Sequence, residues 1–423
     1  MKSSYKTLGE YIRQVKVRNS DLSITEPMGI NISKFFMPSV ANTKGTDLSK
    51  YRVVKNGQFA YNPMHVGRDE VLPIALLKGK TKIIVSPAYV VFEIIDKKAL
   101  LSEYLMMWFR RKDFDRNAWF TTDNSVRGGF SWESLCELKL PIPSPSIQQE
   151  IVDEYNTVVN RIKLNEELNT KLEETAQTLY NYWFVDFEFP ISREYAQSIG
   201  KPELEGKPYK SSGGEMVFSE ELDKEIPSKW EAEEFLQLFK LSGGGTPSTK
   251  NENYWNGEIP FFTPKDVGNY TYSFKTLKNI SELGFRKSST RIYPKNTTFI
   301  TARGTVGAIS IAGCKMAMNQ SCYAVTGNYP FFTHQTSIDC VNQIKKEVVG
   351  AVFNALVTKD FNGKFEVKPS EEVLDKFENI ARPLYAWMLS IALENAKNEL
   401  LKDLLLAQIS SLTLEIQEQT LTP

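Results

Sequence analysis

Residues 146–184 contain no glycine and no proline, and apolar side chains recur along them through Ile151, Tyr155, Ile162, Leu172, Leu179 and Trp183. The steps are threes, fours and their sums, which lay one stripe down the side of an α-helix. At 1.5 Å per residue such a helix runs about 55–60 Å, more than one domain needs. Ser146 reads as its N-cap with Gln149 as capping-box partner, and Pro145 bars an earlier start. A rod with one apolar face must bury that face against a partner.

The same chain offers the partner. After Pro369 and a capping Ser370, residues 370–413 carry a second stripe through Phe377, Ile380, Leu384, Trp387, Ile391, Leu401 and Leu405. The two stretches predict an intramolecular antiparallel pair. Pro383 lies inside the second, where it removes one backbone hydrogen bond and is expected to kink the helix.

The segments before the two helices also match, at a spacing of about 225–240 residues. Residues 51–62 (YRVVKNGQFAYN) correspond to 291–302 (RIYPKNTTFITA), and the β-branched run 83–95 to 318–326. A short strand then runs into prolines in each half, at 136–143 and 364–370. The fold class expected is α+β: a tandem repeat of two mixed α/β domains, each followed by a long α-helix, with the helices forming an antiparallel coiled coil. The boundaries are a first domain at 1–145, helix 146–184, a connector at 185–229, a second domain at 230–369, helix 370–413 and a tail at 414–423. The polar connector, punctuated by proline and glycine, is expected to have little core of its own.

Net charge is zero, but its distribution is uneven. Residues 31–82 hold nine Lys/Arg against three Asp/Glu, and 259–303 hold eight against two. The helix at 146–184 holds three basic residues against seven acidic ones. Basic globular segments alternating with acidic helices point to nucleic acid at the former and protein at the latter. No apolar run reaches membrane-span length and the opening residues lack a signal-peptide core, so a cytoplasmic chain without membrane contact is expected. Four cysteines without a CxxC pair, and only two histidines, disfavour a disulfide framework, a His-ligated metal or a His-based triad.

Four motifs now carry a family resemblance. The connector GKPYKSSGGEMVFSEELDKEIPSKW, the loop LSGGGTPSTKNENYW (241–255), GEIPFFTPKDV (257–267) and TARGTVGAISIAGCKMAMNQSCYAV (301–325) occur in order inside this repeat. Together they resemble the specificity subunits of Type I restriction–modification systems, over essentially the whole chain and best in its second half. The resemblance implies two target-recognition domains, each reading half of a bipartite site on double-stranded DNA. It also implies a helix pair that docks two methyltransferase subunits, with restriction and translocase subunits joining them. It implies no catalysis and no cofactor in this chain, with S-adenosylmethionine, ATP and Mg²⁺ on the partner subunits.

Candidate DNA contacts follow from chemistry. In the second domain Thr246, Ser248 and Lys250 of the glycine loop can donate to phosphate oxygens, and Lys265, Arg286, Lys287 and Arg291 form a cationic set. Arg303, beside Thr305, can fork onto guanine, and Asn319 with Gln320 can pair with adenine. The glycine loop lacks the GxxxxGK[ST] spacing of an ATP site. In the first domain the expected contacts are Lys34, Asn62, His65, Arg68 and Arg127; Asn62-Pro63 lacks the remainder of an amino-methyltransferase motif. Two alternatives are a helical scaffold that binds no DNA, and a Mg²⁺ nuclease using Asp360, Glu366 and Lys368, a D-x5-E-x-K pattern whose E-x-K recurs at 137–139.

Overall fold

Short alternating strands closed by tight turns leave two sheets per domain, which need helices to cover their apolar faces. The computed structural model describes residues 5–40, 45–64, 70–122, 129–347 and 354–419. The chain divides into two units, Met1–Ile162 with Lys397–Pro423, and Lys163–Ala396. Each long helix therefore gives one portion to each unit.

In the first unit, one sheet has the order Ile12–Val15, Val90–Ile94, Phe59–Tyr61, Ile74–Leu76, all antiparallel. The other has the order Phe36–Pro38, Pro27–Ile30, Lys82–Val85, Arg52–Lys55, in which Pro27–Ile30 and Lys82–Val85 run parallel. Phe59, Tyr61 and Phe92 leave the first sheet for a core shared with Phe109, Phe130, and Val152 and Tyr155 of the first long helix. Leu405, Leu406 and Ile409 of the second long helix complete that core.

The second unit repeats this strand for strand. Its first sheet has the order Lys240–Gly243, Cys322–Thr326, Thr298–Thr301, Ile309–Ala312, with Tyr272–Ser273 added at the edge. Its second has the order Asn279–Ile280, Trp255–Phe262, Met316–Met318, Ile292–Tyr293, again with one parallel pair at the same place. A further two-stranded ribbon joins Tyr5–Thr7 to Lys139–Pro141 in the first unit and Glu231–Glu234 to Phe365–Lys368 in the second. The repeat is thus confirmed at the level of topology, with one change of register. Val53 pairs with Ile84, which pairs with Pro27; Ile292 pairs with Ala317, which pairs with Phe261. Arg52 rather than Tyr51 therefore stands where Arg291 stands.

The first long helix is Pro145–Tyr180, followed by a π-helical turn over Asn181–Val185. Gln148 N–H donates to Ser144 O at 3.0 Å, so Ser144 caps the helix and Pro145 opens it. The expected Ser146 cap is set too late along the chain, because proline fits the first helical position, where no N–H is needed. The second long helix is Glu371–Gln419 and runs through Pro383, whose ring is exposed. Within the second unit the helices run antiparallel: Asn165 Nδ2 donates to Asn395 Oδ1 at 2.7 Å, while Tyr180 meets Phe377 ring to ring.

The buried stripe of the first helix holds Tyr155, Ile162, Leu172, Ala176 and Tyr180 together with Asn165 and Asn169; Ile151 and Leu179 are half-buried. On the second helix Phe377 and Ile391 are buried and Leu384 and Leu405 half-buried. Ile380 (47% exposed), Trp387 (62%) and Leu401 (44%) face outward. Their places in the core go to Ala381, Tyr385, Met388 and Ala392, which lie on the adjacent helical row.

The connector has a core after all. Phe187, Phe189, Ile191, Ala196, Tyr209 and Ile226 are buried with Trp230, and Phe189 stacks on Tyr209 and Trp230 at 4.7 Å. A hairpin, Met216–Ser219 with Lys224–Pro227, closes the segment. Aromatics spaced by polar residues pack here without periodicity, which is why the segment reads as polar. Among the described residues, no helix is long and apolar enough to cross a membrane.

Candidate nucleic-acid interface

In the second unit, loops from distant parts of the sequence meet at one end of the two sheets. Gly245 N–H donates to Met318 O at 3.2 Å. A Cβ on Gly244 would lie 2.0 Å from Asn319 O, and one on Gly245 would lie 2.4 Å from Ser289 Oγ. The sequence pattern suggests glycines that admit DNA; the structure shows that they let protein backbone approach protein backbone instead. Thr246 hydroxyl donates to Gln320 Oε1. Asn319 Oδ1 accepts from Ser321 N–H at 3.0 Å, and Ala302 N–H donates to Ser321 O at 2.7 Å. Thr290 Oγ1 donates to Met318 O at 2.9 Å, tying in the segment that carries Lys287 and Arg291.

Lys265 sits on a locked turn: Thr263 N–H donates to Asp266 Oδ2 at 2.8 Å and Thr263 Oγ1 donates to it at 2.6 Å. Gly304, at positive φ, lies against Pro264, which brings Arg303 beside that turn. Thr305 is exposed, and its carbonyl accepts from the Thr301 hydroxyl. Ser248, Lys250, Lys265, Lys287, Arg291 and Arg303 are exposed or partly so. None of these five cations forms an ion pair among the described residues. Arg286 pairs with Glu282 at 3.1 Å on the surface, which costs little to release. Guanidinium and ammonium groups on a rigid loop frame suit phosphate and base-edge recognition.

The first unit departs from expectation. Lys34 is 5% exposed; its ammonium donates to Asp115 at 2.8 Å and to Phe109 O. Burial pushes the Lys34 pKa down and the Asp115 pKa up, while each one's charge opposes the other's shift. Leu72 N–H donates to the same carboxylate at 3.2 Å. Lys34 is a structural ion pair spanning the unit, so it leaves the set of candidate contacts. Asn62 is 7% exposed, and its Oδ1 accepts from Met64 N–H at 3.1 Å. It occupies the place of buried Thr301: Phe130 N–H donates to Pro63 O as Leu356 N–H donates to Ala302 O, so Met64 aligns with Arg303. Asn62 therefore leaves the set as well. His65, Arg68 and Arg127 lie outside the described residues.

The acidic-and-lysine pattern is dispersed into local roles. Asp360 caps its own 3₁₀ turn by accepting from Val357 N–H at 2.7 Å. Lys368 pairs with Glu233 at 2.7 Å. Glu366 is buried beside Gln343, Asp339 and Lys224, and burial pushes its pKa up to about 8. Among the described residues there is no group of three or more His, Cys, Asp or Glu able to hold a metal. Nor do the two E-x-K sequences share a repeat position. Leu8 N–H donates to Leu138 O as Phe235 N–H donates to Lys364 O, which sets Leu140, not Glu137, in the place of Glu366.

Sequence reasoning missed the buried polar groups of the second unit. Asn165 and Asn395 meet between the helices, Asn169 is buried and donates to Glu173 at 2.8 Å, and Asn395 Nδ2 donates to Tyr270 OH at 2.7 Å. His334 is buried against Tyr385 OH at 2.7 Å, and desolvation lowers its pKa to about 3, leaving it neutral. Polar residues inside a helical stripe read as surface in a sequence, so no pattern flagged them.

A family model for the Type I restriction modification DNA specificity domain matches residues 71–174 and 227–402. The chain belongs to this specificity family. It is 23% identical over 425 residues to the Type I restriction enzyme HindI specificity subunit of Haemophilus influenzae, covering 89% of this chain and 91% of that one. It is 38% identical over 108 residues to the MjaIX specificity subunit of Methanocaldococcus jannaschii, a quarter of each chain. Among solved structures, the Type I restriction–modification S subunit from M. genitalium matches with a TM-score of 0.54 at 13% identity, over 96% of this chain and 95% of that one. That likeness establishes the shared fold. The specificity-family match falls in two segments, one in each repeat, and each runs into the long helix that follows.

Proposed function

We propose that this specificity-family chain is the non-catalytic DNA-reading subunit of a Type I restriction–modification complex. Each of its two domains reads one half of a bipartite site on double-stranded DNA, and the helix pair docks two methyltransferase subunits. Restriction and translocase subunits join the same assembly. S-adenosylmethionine, ATP and Mg²⁺ are held by those partners and not by this chain. The observation that carries the reading is the strand-for-strand repeat, in which the second copy ends in a loop cluster with five cations outside any ion pair among the described residues. Two copies of one reading module call for two half-sites. Thr246, Ser248, Lys250, Lys265, Arg286, Lys287, Arg291, Arg303, Thr305, Asn319 and Gln320 remain the DNA-facing set of the second domain. The test is reconstitution with the cognate methyltransferase subunits followed by sequencing of methylated sites. A single bipartite motif that requires this chain is expected; methylation that persists without the chain, or that follows no motif, overturns the reading.

A further inference from the structure

The strand-for-strand equivalence locates in the first domain the surface that sequence comparison could not. Extending the register of the paired strands places Ser86 on Asn319, Pro87 on Gln320 and Ala88 on Ser321. The turn itself is reproduced. Ser86 Oγ accepts from Ala88 N–H at 3.3 Å as Asn319 Oδ1 accepts from Ser321 N–H at 3.0 Å. Tyr89 N–H donates to Ser86 O at 3.0 Å as Cys322 N–H donates to Asn319 O at 3.3 Å. The same register sets Val17 and Arg18 on Gly244 and Gly245.

Two arginines meet at this end of the first domain. Arg18 and Arg52 form an isolated antiparallel β-bridge, which sets their side chains next to each other. Arg52 Nε donates to Pro87 O at 2.9 Å, so its guanidinium lies against the Ser86–Tyr89 turn. Arg18 is exposed, Arg52 half-buried, and neither is in an ion pair among the described residues. Like charges directly opposite one another on paired strands repel. A protein that keeps them there without a carboxylate gains when an anion bridges them. Arg52 also occupies the fold position of Arg291, so both domains carry an arginine at that point of the frame.

We propose that Arg18 and Arg52, with the Ser86–Tyr89 turn, are specificity-determining contacts of the first domain with its DNA half-site. They take the role that sequence comparison gave to Lys34 and Asn62. The inference rests on the DNA-reading function proposed above. Arg18, free to extend, is the candidate for a base or phosphate contact. Arg52 contacts DNA with its remaining donors and holds the turn in place with Nε.

The test uses the full complex with methyltransferase subunits and sequences the methylated sites for wild type, Arg18→Ala, Arg52→Gln and Arg291→Gln. Arg18→Ala is expected to lower methylation at the cognate site by roughly tenfold or more, or to relax the motif, in one half-site only. Arg291→Gln should act on the other half-site. Because Arg52→Gln could simply loosen the turn, Arg18→Cys is probed in parallel for disulfide cross-linking to duplex DNA carrying a tethered thiol in either half-site. Cross-linking confined to the half-site unaffected by Arg291→Gln supports the proposal. A wild-type complex that methylates one bipartite motif, together with an Arg18→Ala complex of unchanged motif and rate and no cross-link, overturns it. A wild-type complex with no motif overturns the function itself, so the two failures are distinct.

Discussion

The two globular domains share a strand order and differ in almost everything that fills it. The first closes the turn after Pro27–Ile30 in five residues, Asn31 to Phe35, and anchors it through the buried Lys34–Asp115 pair. The second replaces that turn with the long excursion between Phe262 and Asn279, fastened by Asp266. The first has Val17 and Arg18 where the second has Gly244 and Gly245, and Leu140 where the second has Glu366. Topology survives such exchanges because it depends on alternation and turn geometry, which many residues satisfy. Ion pairs and loop packing depend on particular side chains, so they diverge freely between the copies.

The largest effect expected from breaking this comparison is at the ion pair that anchors the first domain. Asp115→Ala leaves a buried ammonium with one carbonyl for a partner. It should destabilise the first unit by about 3–5 kcal/mol while leaving the second unchanged, as hydrogen exchange of the two units would report.

The Leu140–Glu366 difference gives a pH signature. Glu366 has a folded pKa of about 8 against an ordinary value of 4.5, so between these values the folded state holds more proton than the unfolded one. Stability of the second unit then falls as pH rises through that window, by up to about 1.4 kcal/mol per pH unit. His334 works the other way: its pKa falls from 6.5 to about 3, so it costs stability as pH drops below 6.5. From pH 6.5 to 8 Glu366 acts without that opposition. Glu366→Leu, which copies the first domain, should abolish the decline in that range and raise stability at pH 8. A denaturation series across pH measures both.

The glycine positions come next. Gly244→Ala and Gly245→Ala should each cost about 1–3 kcal/mol in the second unit, since the added Cβ meets backbone or fixed side chain. Val17→Ala at the matching place in the first should stay within about 0.5 kcal/mol, because Val17 is exposed. Thermal unfolding of the variants decides between a shared and a divergent loop packing. The smallest expected change in folding is on truncation of the loop cations. Lys265→Ala and Arg303→Ala should leave stability unchanged. Where the deleted cation neutralises a phosphate, the logarithmic salt slope of DNA binding should become shallower by about 0.9, as titrations across salt would show.

How much of this was legible in the sequence follows from the same contrast. The long helices were readable because periodicity, caps and an absence of glycine are local signals. Their inward faces were only partly so: Trp387 points outward while Asn165 and Asn395 point inward, and hydrophobicity alone ranks them the other way. The repeat was visible through Lys-Asn turns and β-branched runs, but set one residue out of register around Arg52, since only the pairing partner fixes it. The same looseness put Pro63, rather than Met64, opposite Arg303. Lys34 was unreadable as a core residue because its partner, Asp115, lies far along the chain. The second-domain loops were found because glycine, Arg303 and Lys265 are punctuated by turns, although the reason for the glycines lay in backbone packing.

In the function proposed above, each domain reads its own half-site. Replacing 230–368 with the corresponding segment of another specificity-family chain, and sequencing the methylated sites of the assembled complex, tests it most directly. A new motif is expected in which one half-site changes and the other, with the spacing between them, is retained. A change in both half-sites, or in neither, would contradict it.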